Sequence, residues 1–148
     1  MEIKNIANLE DLKKGIEAEL FNLGYKKVKS SEFDENSLNN SKIFAKTYYL
    51  GKNIYNKRQT AHFIVSRLNR KPLIILVKWQ KKRGTIDEKF PFIVSNLKET
   101  ISFQSLIVID GEGYSENALN WLKNQIDEKL IEVLNFTEFQ KWSKNFNV

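Results

Sequence analysis

The chain has no cysteine and a single histidine. Without cysteine there is no disulfide framework, no thiolate metal site and no cysteine nucleophile. One histidine excludes a His-rich zinc centre and any mechanism that needs two imidazoles. Long apolar runs are also missing. The longest, Leu73–Val77, is far too short to cross a bilayer, and Met1-Glu2-Ile3-Lys4 lacks the apolar stretch of a signal peptide. The expectation is a soluble cytoplasmic protein with no membrane partner. What is present is 148 residues that are 41% hydrophobic and 12% aromatic, a composition for one folded domain over 1–148.

A further absence is local. No Asp or Glu occurs between Asn36 and Ile86, while the same stretch carries Lys42, Lys46, Lys52, Lys57, Arg58, Arg67, Arg70, Lys71, Lys78, Lys81, Lys82 and Arg83. The remaining basic residues share the rest of the chain with all 18 acids, so the overall charge of +6 is concentrated in this stretch. Such a split gives a domain a positive face, and nucleic acid is the commonest polyanion to meet one.

Ile6, Leu9, Leu12, Ile16, Leu20 and Leu23 recur at steps of three and four, which predicts an amphipathic helix from about residue 5 to 23, ended near Gly24. The polar stretch Ser30–Ser41 reads as a loop. Strands are expected at Phe44–Leu50, Ala61–Ser66 and Leu73–Trp79, the last apolar on both faces and therefore central. Thr85-Ile86-Asp87-Glu88 has the form of a capping box, and Phe90, Ile93, Val94, Leu97 and Ile101 stripe the helix after it, with Pro91 expected to split off its first turn. Leu106–Asp110 reads as a buried strand ending in Gly111-Glu112-Gly113. Ser115 caps a helix to about Ile126, Leu130–Leu134 is a strand, and Phe136, Phe139, Trp142 and Phe146 stripe a last helix. The expected class is α/β: helix, three strands, helix, strand, then helix, strand, helix.

Several of these segments together carry a likeness. Asn53-Ile54-Tyr55-Asn56-Lys57-Arg58, His62-Phe63-Ile64, Pro72 through Phe92 and Leu106 through Leu122 resemble a bacterial PD-(D/E)XK nuclease family. Its restriction-endonuclease-like branch has the pattern Glu-x-Lys-Trp-Gln, then Gly-Ser/Thr-x-(acid)-Glu-Lys-(aromatic)-Pro. This chain has Leu76-Val77-Lys78-Trp79-Gln80, then Gly84-Thr85-Ile86-Asp87-Glu88-Lys89-Phe90-Pro91. The element order matches the restriction-endonuclease-like core of such nucleases, helix, three strands, helix, strand.

The resemblance implies a DNA partner, Mg²⁺ as cofactor of an active enzyme, and a homodimer or a partner subunit as the assembly. In the family an Asp on one strand and a Glu two residues before the Lys bind the metal, which activates water, while the Lys steadies the nucleophile and the transition state. Here Lys78 holds the lysine position and Gln80 follows it in the motif. The Glu position is Leu76 and the Asp position is His62. No shift of one residue restores an acid, because the whole stretch is acid-free. A histidine is a poor Mg²⁺ ligand, since that ion prefers oxygen.

Other acids are conceivable ligands by position: Glu17 and Glu19 on the first helix, and Asp87 and Glu88 just past the Lys78 strand. Solvation on a helix flank explains the first two as well, and capping the last two. By resemblance Lys81, Lys82 and Arg83 face DNA, with Lys57 and Arg58 as further contacts. His62 reads as packed beside Ile64 or as a donor to phosphate. Tyr48, Tyr49 and Tyr55 lie in or near strand-like segments, which favours core packing over stacking on bases. Three expectations follow. The first is a DNA-binding protein of this fold with cleavage lost or impaired. The second is a Mg²⁺-dependent endonuclease using relocated acids, and the third a non-catalytic protein-interaction subunit.

Overall fold

A computed structural model describes residues 6–33, 41–80 and 85–145, and of positions 85–87 the backbone only. Helix α1 spans Leu9–Asn22. It starts later than the apolar stripe predicts because Asn8 is extended, and its side chain accepts from the Asp11 amide at 2.8 Å. Gly24, at φ 92°, turns the chain out of the helix as expected. A two-residue strand β1 (Lys26–Lys27) and a 3₁₀ turn at Ser30–Glu32 follow, neither of them foreseen. Positions 34–40 of the polar stretch lie outside the described residues.

Strands β2 (Ile43–Lys52), β3 (Arg58–Arg67) and β4 (Arg70–Gln80) come next, then α2 (Thr85–Thr100), β5 (Gln104–Gly111), α3 (Glu116–Lys123), β6 (Leu130–Leu134) and α4 (Phe136–Lys144). The six strands form one sheet in chain order, antiparallel at β2/β3/β4 and parallel at β1/β2 and β4/β5/β6. The two parallel crossovers place α2 and α3 on one face. There they bury Phe90, Val94, Leu97 and Leu122 with Ile74, Leu76, Ile107 and Ile109. On the other face Leu12, Ile16 and Leu20 of α1 and Phe136 and Phe139 of α4 pack on Phe63, Ile75, Val77 and Val108. The central position expected for Leu73–Trp79 follows from this: β4 contributes Leu73, Ile75 and Val77 to one core and Ile74 and Leu76 to the other.

Two expectations are corrected. Pro91 lies inside a continuous α2 rather than splitting it. The helix forgoes one amide hydrogen bond there, while Phe90, Val94 and Leu97 stay buried along one stripe and hold it on the sheet. Helix α3 stops at Lys123, short of Ile126, with Asn124 as its cap. The Thr85 side of the capping box lies outside the described side chains. The last helix has a capping box of its own, with the Asn135 side chain accepting from the Glu138 amide at 2.8 Å and Glu138 accepting from the Asn135 amide at 2.9 Å. No described helix is long and apolar enough to cross a membrane.

Candidate functional site

The site takes shape where β3 and β4 part. Their ladder pairs Val65 with Leu73, Ile64 with Ile74 and Phe63 with Ile75, and records no pair beyond that point. Strand β4 runs on to Gln80 beside β5, and the start of β3 stays with β2. Because β3 and β4 are antiparallel, the β2–β3 hairpin tip, the Lys78 end of β4 and the start of α2 all lie at one end of the sheet. It is also the end where the parallel strands β4, β5 and β6 finish, the usual side for ligands in such sheets.

His62 sits at the fork. Its neighbours Ala61 and Phe63 belong to opposite cores, so the strand's alternation breaks there. Across from it Thr47 adopts φ 55°, an uncommon conformation for a β-branched residue. The imidazole Nδ1 accepts the Val77 amide at 3.0 Å, standing in for a ladder carbonyl. An accepting Nδ1 is unprotonated, so the neutral ring carries its proton on Nε2. Burial first, then the Lys78 ammonium, pushes the His62 pKa down to about 4.

The other positions that the resemblance assigns to the motif differ in their surroundings. Leu76 is 9% exposed and packs in the core under α2. Lys78 is half-buried and has no ion-pair partner among the described residues; burial, with Lys89 nearby, lowers its pKa. Gln80 ends β4, and its carbonyl accepts the amides of Glu112 at 2.9 Å and Gly113 at 3.0 Å. The intervening Gly111 has φ 110°, and a Cβ there would lie 2.1 Å from the Gln80 oxygen. The Gly111-Glu112-Gly113 turn is thus a clasp on β4. Asp110 belongs to the same clasp, accepting from the Gly111 amide at 2.9 Å and the Phe136 amide at 3.1 Å.

Of the acids named by position, Glu17 and Glu19 have partners other than Lys78. Glu17 lies under β2, 3.1 Å from Lys46 and 3.7 Å from Lys27. Its buried Oε2 is held by these charges without a well-aligned hydrogen bond. Glu19 accepts from Gln140 of α4 at 3.1 Å. Glu88 is exposed, and the side chain of Asp87 is outside the described ones. Among the described residues no three His, Asp or Glu side chains are grouped to hold a metal.

The basic stretch is divided between structure and surface. Arg67 is 4% exposed and donates to the Lys71 carbonyl at 2.7 Å and to Gln104 at 3.0 Å. Lys42 donates to the Leu23 carbonyl at 3.0 Å, and Lys46 belongs to Glu17. Lys57 and Arg58 are exposed at the hairpin, on the Lys78 end of the sheet. Lys81, Lys82 and Arg83 lie outside the described residues. Of the tyrosines, Tyr48 packs on Phe33 as expected, with ring centroids 5.8 Å apart. Tyr49 and Tyr55 do not join a core: they are 45% and 68% exposed. Nothing local in the sequence signals the His62–Val77 bond, which spans 15 residues.

Residues 8–147 match the family model of a PD-(D/E)XK nuclease superfamily domain. No curated protein matches the chain.

Proposed function

Since the chain belongs to the PD-(D/E)XK nuclease superfamily, we propose that it is a DNA-binding protein of that fold whose metal-dependent cleavage is lost or impaired. One observation carries this reading. Both positions that should hold metal-binding acids are filled by side chains committed elsewhere, His62 to the Val77 amide and Leu76 to the core beneath α2. In a complete site Mg²⁺ supplies an activated water and neutralises the phosphate. The residues present do not fit that ion, which takes hard oxygen ligands in octahedral geometry. An aliphatic side chain and a low-pKa imidazole with one nitrogen occupied offer none.

What remains suits holding phosphate. Lys78 lacks the counter-charges that the family site would give it, and a half-buried ammonium with no ion-pair partner among the described residues is costly. A phosphate oxygen would relieve that cost. Lys57 and Arg58 stand at the same end of the sheet, and Lys81, Lys82 and Arg83 continue the chain from β4.

Supercoiled-plasmid cleavage in Mg²⁺ and in Mn²⁺, run beside a retention assay on the same DNA, tests the reading. The expected result is retention without cutting. Six phosphate contacts predict that log Kd rises against log salt with a slope of roughly 5. Cutting that disappears in Lys78→Ala would overturn the loss of cleavage, and binding without a steep salt slope would overturn the DNA contact. Restoring both acids, His62→Asp with Leu76→Glu, is expected to bring back metal-dependent nicking that needs Lys78.

A further inference from the structure

The β2–β3 hairpin carries exposed aromatic rings beside cations that form no ion pair among the described residues. The Tyr55 ring lies 12° from parallel to Phe92 of α2, with centroids 5.1 Å apart, yet it is 68% exposed. Phe92 therefore supports one face of the ring and leaves the other to solvent. Nearby, the Arg58 guanidinium lies 4.0 Å from the Tyr49 ring centroid. Among the described residues Lys52, Lys57 and Arg58 make no ion pairs, and none of the residues from Asn36 to Ile86 is an acid.

The hairpin is fastened in place. Asn53 Oδ1 accepts the amides of Tyr55 at 2.8 Å and Lys57 at 3.1 Å, and Asn56 takes φ 63° to close the turn. The Ile54 amide donates to Asn96 Oδ1 on α2 at 2.9 Å. Asn96 in turn donates to Gln59 at 2.9 Å, and Gln59 to Thr100 at 2.9 Å. A large ring held rigid, backed on one side and open on the other, loses little entropy when a second flat ring stacks on it.

We infer that this hairpin is a stacking platform for an unpaired base of DNA, with Lys52, Lys57 and Arg58 holding the adjoining phosphates. The open face of Tyr55 takes the base, and the cations track the strand. A continuous duplex keeps its bases stacked on each other and offers none to the platform. The protein then prefers DNA with single-stranded character. This rests on the DNA-binding reading above and adds to it the form of DNA preferred.

Fluorescence anisotropy with one labelled oligonucleotide, single-stranded and annealed to its complement, tests it in the full chain. Tyr55→Ala is expected to weaken single-strand binding by roughly five- to a hundredfold, the range for losing one base–aromatic stack. Duplex binding should change less than about twofold, since phosphate contacts supply it. Tyr55→Phe keeps the ring and should bind like the wild type, whereas Lys57→Ala should weaken both forms. If Tyr55→Ala affects both forms equally, or neither, the platform is overturned while DNA binding stands. Failure of the wild type to bind either form at low salt would overturn the DNA-binding reading and the platform with it.

Discussion

Replacing His62 with Asn separates the two things its imidazole does. Asn presents Oδ1 near the position of Nδ1, so the Val77 amide keeps its acceptor while the titration disappears. The native pKa of about 4 stands against 6.5 in the unfolded chain. As pH falls below 6.5 the unfolded chain takes up a proton that folded His62 refuses. The contribution is therefore complete above pH 6.5, shrinks as the pH falls, and is exhausted near pH 4. At about 1.4 kcal/mol per pH unit the whole interval amounts to about 3 kcal/mol, of which about 2 kcal/mol is lost by about pH 5. Urea unfolding of both proteins across this range measures the difference directly and cancels the carboxylates they share. Wild type should lose stability relative to His62→Asn as pH falls. A third variant, His62→Phe, leaves the buried Val77 amide unpaired and should cost about 1–3 kcal/mol even at neutral pH. Parallel curves for wild type and His62→Asn would refute the argument, because the histidine would then titrate as if exposed.

Two close backbone approaches make further predictions. Gly111→Ala places a Cβ 2.1 Å from the Gln80 oxygen at φ 110°, which should cost about 3 kcal/mol or more in urea unfolding. A Cβ on Gly15 would meet the Phe136 ring at 2.8 Å, where α1 and α4 touch. Gly15→Val should therefore destabilise by about 1–3 kcal/mol. Adding Phe136→Leu should recover part of that loss, and a double-mutant cycle showing no coupling would contradict the contact.

The strands and helices were legible wherever one local period repeated. The stripe of α1, the doubly apolar β4 and the extent of β6 follow from spacing alone, because burying a face demands a fixed step along the chain. The short β1 was not legible, since two exposed lysines carry no such period. The site was legible only as a pattern of residue types. The resemblance sets Lys78 at the motif lysine, and the acid-free stretch means that no one-residue shift brings an acid to the positions it assigns to His62 and Leu76. Composition also marked the stretch as basic, but not that Arg67 is buried or that Lys46 belongs to Glu17.

Those assignments belong to tertiary structure. Whether His62 faced phosphate or packed inward depended on a kink opposite Thr47 and on where the β3–β4 ladder ends, and the answer was a bond to a backbone amide. The same holds for Tyr55, whose ring stacks on a helix 37 positions further along the chain because Ile54 and Asn96 bring the two together. Local sequence encodes which face of an element is apolar, since that depends on near neighbours. Which polar group meets which across the sheet depends on register, twist and strand ends, and these are settled only when the whole sheet has packed.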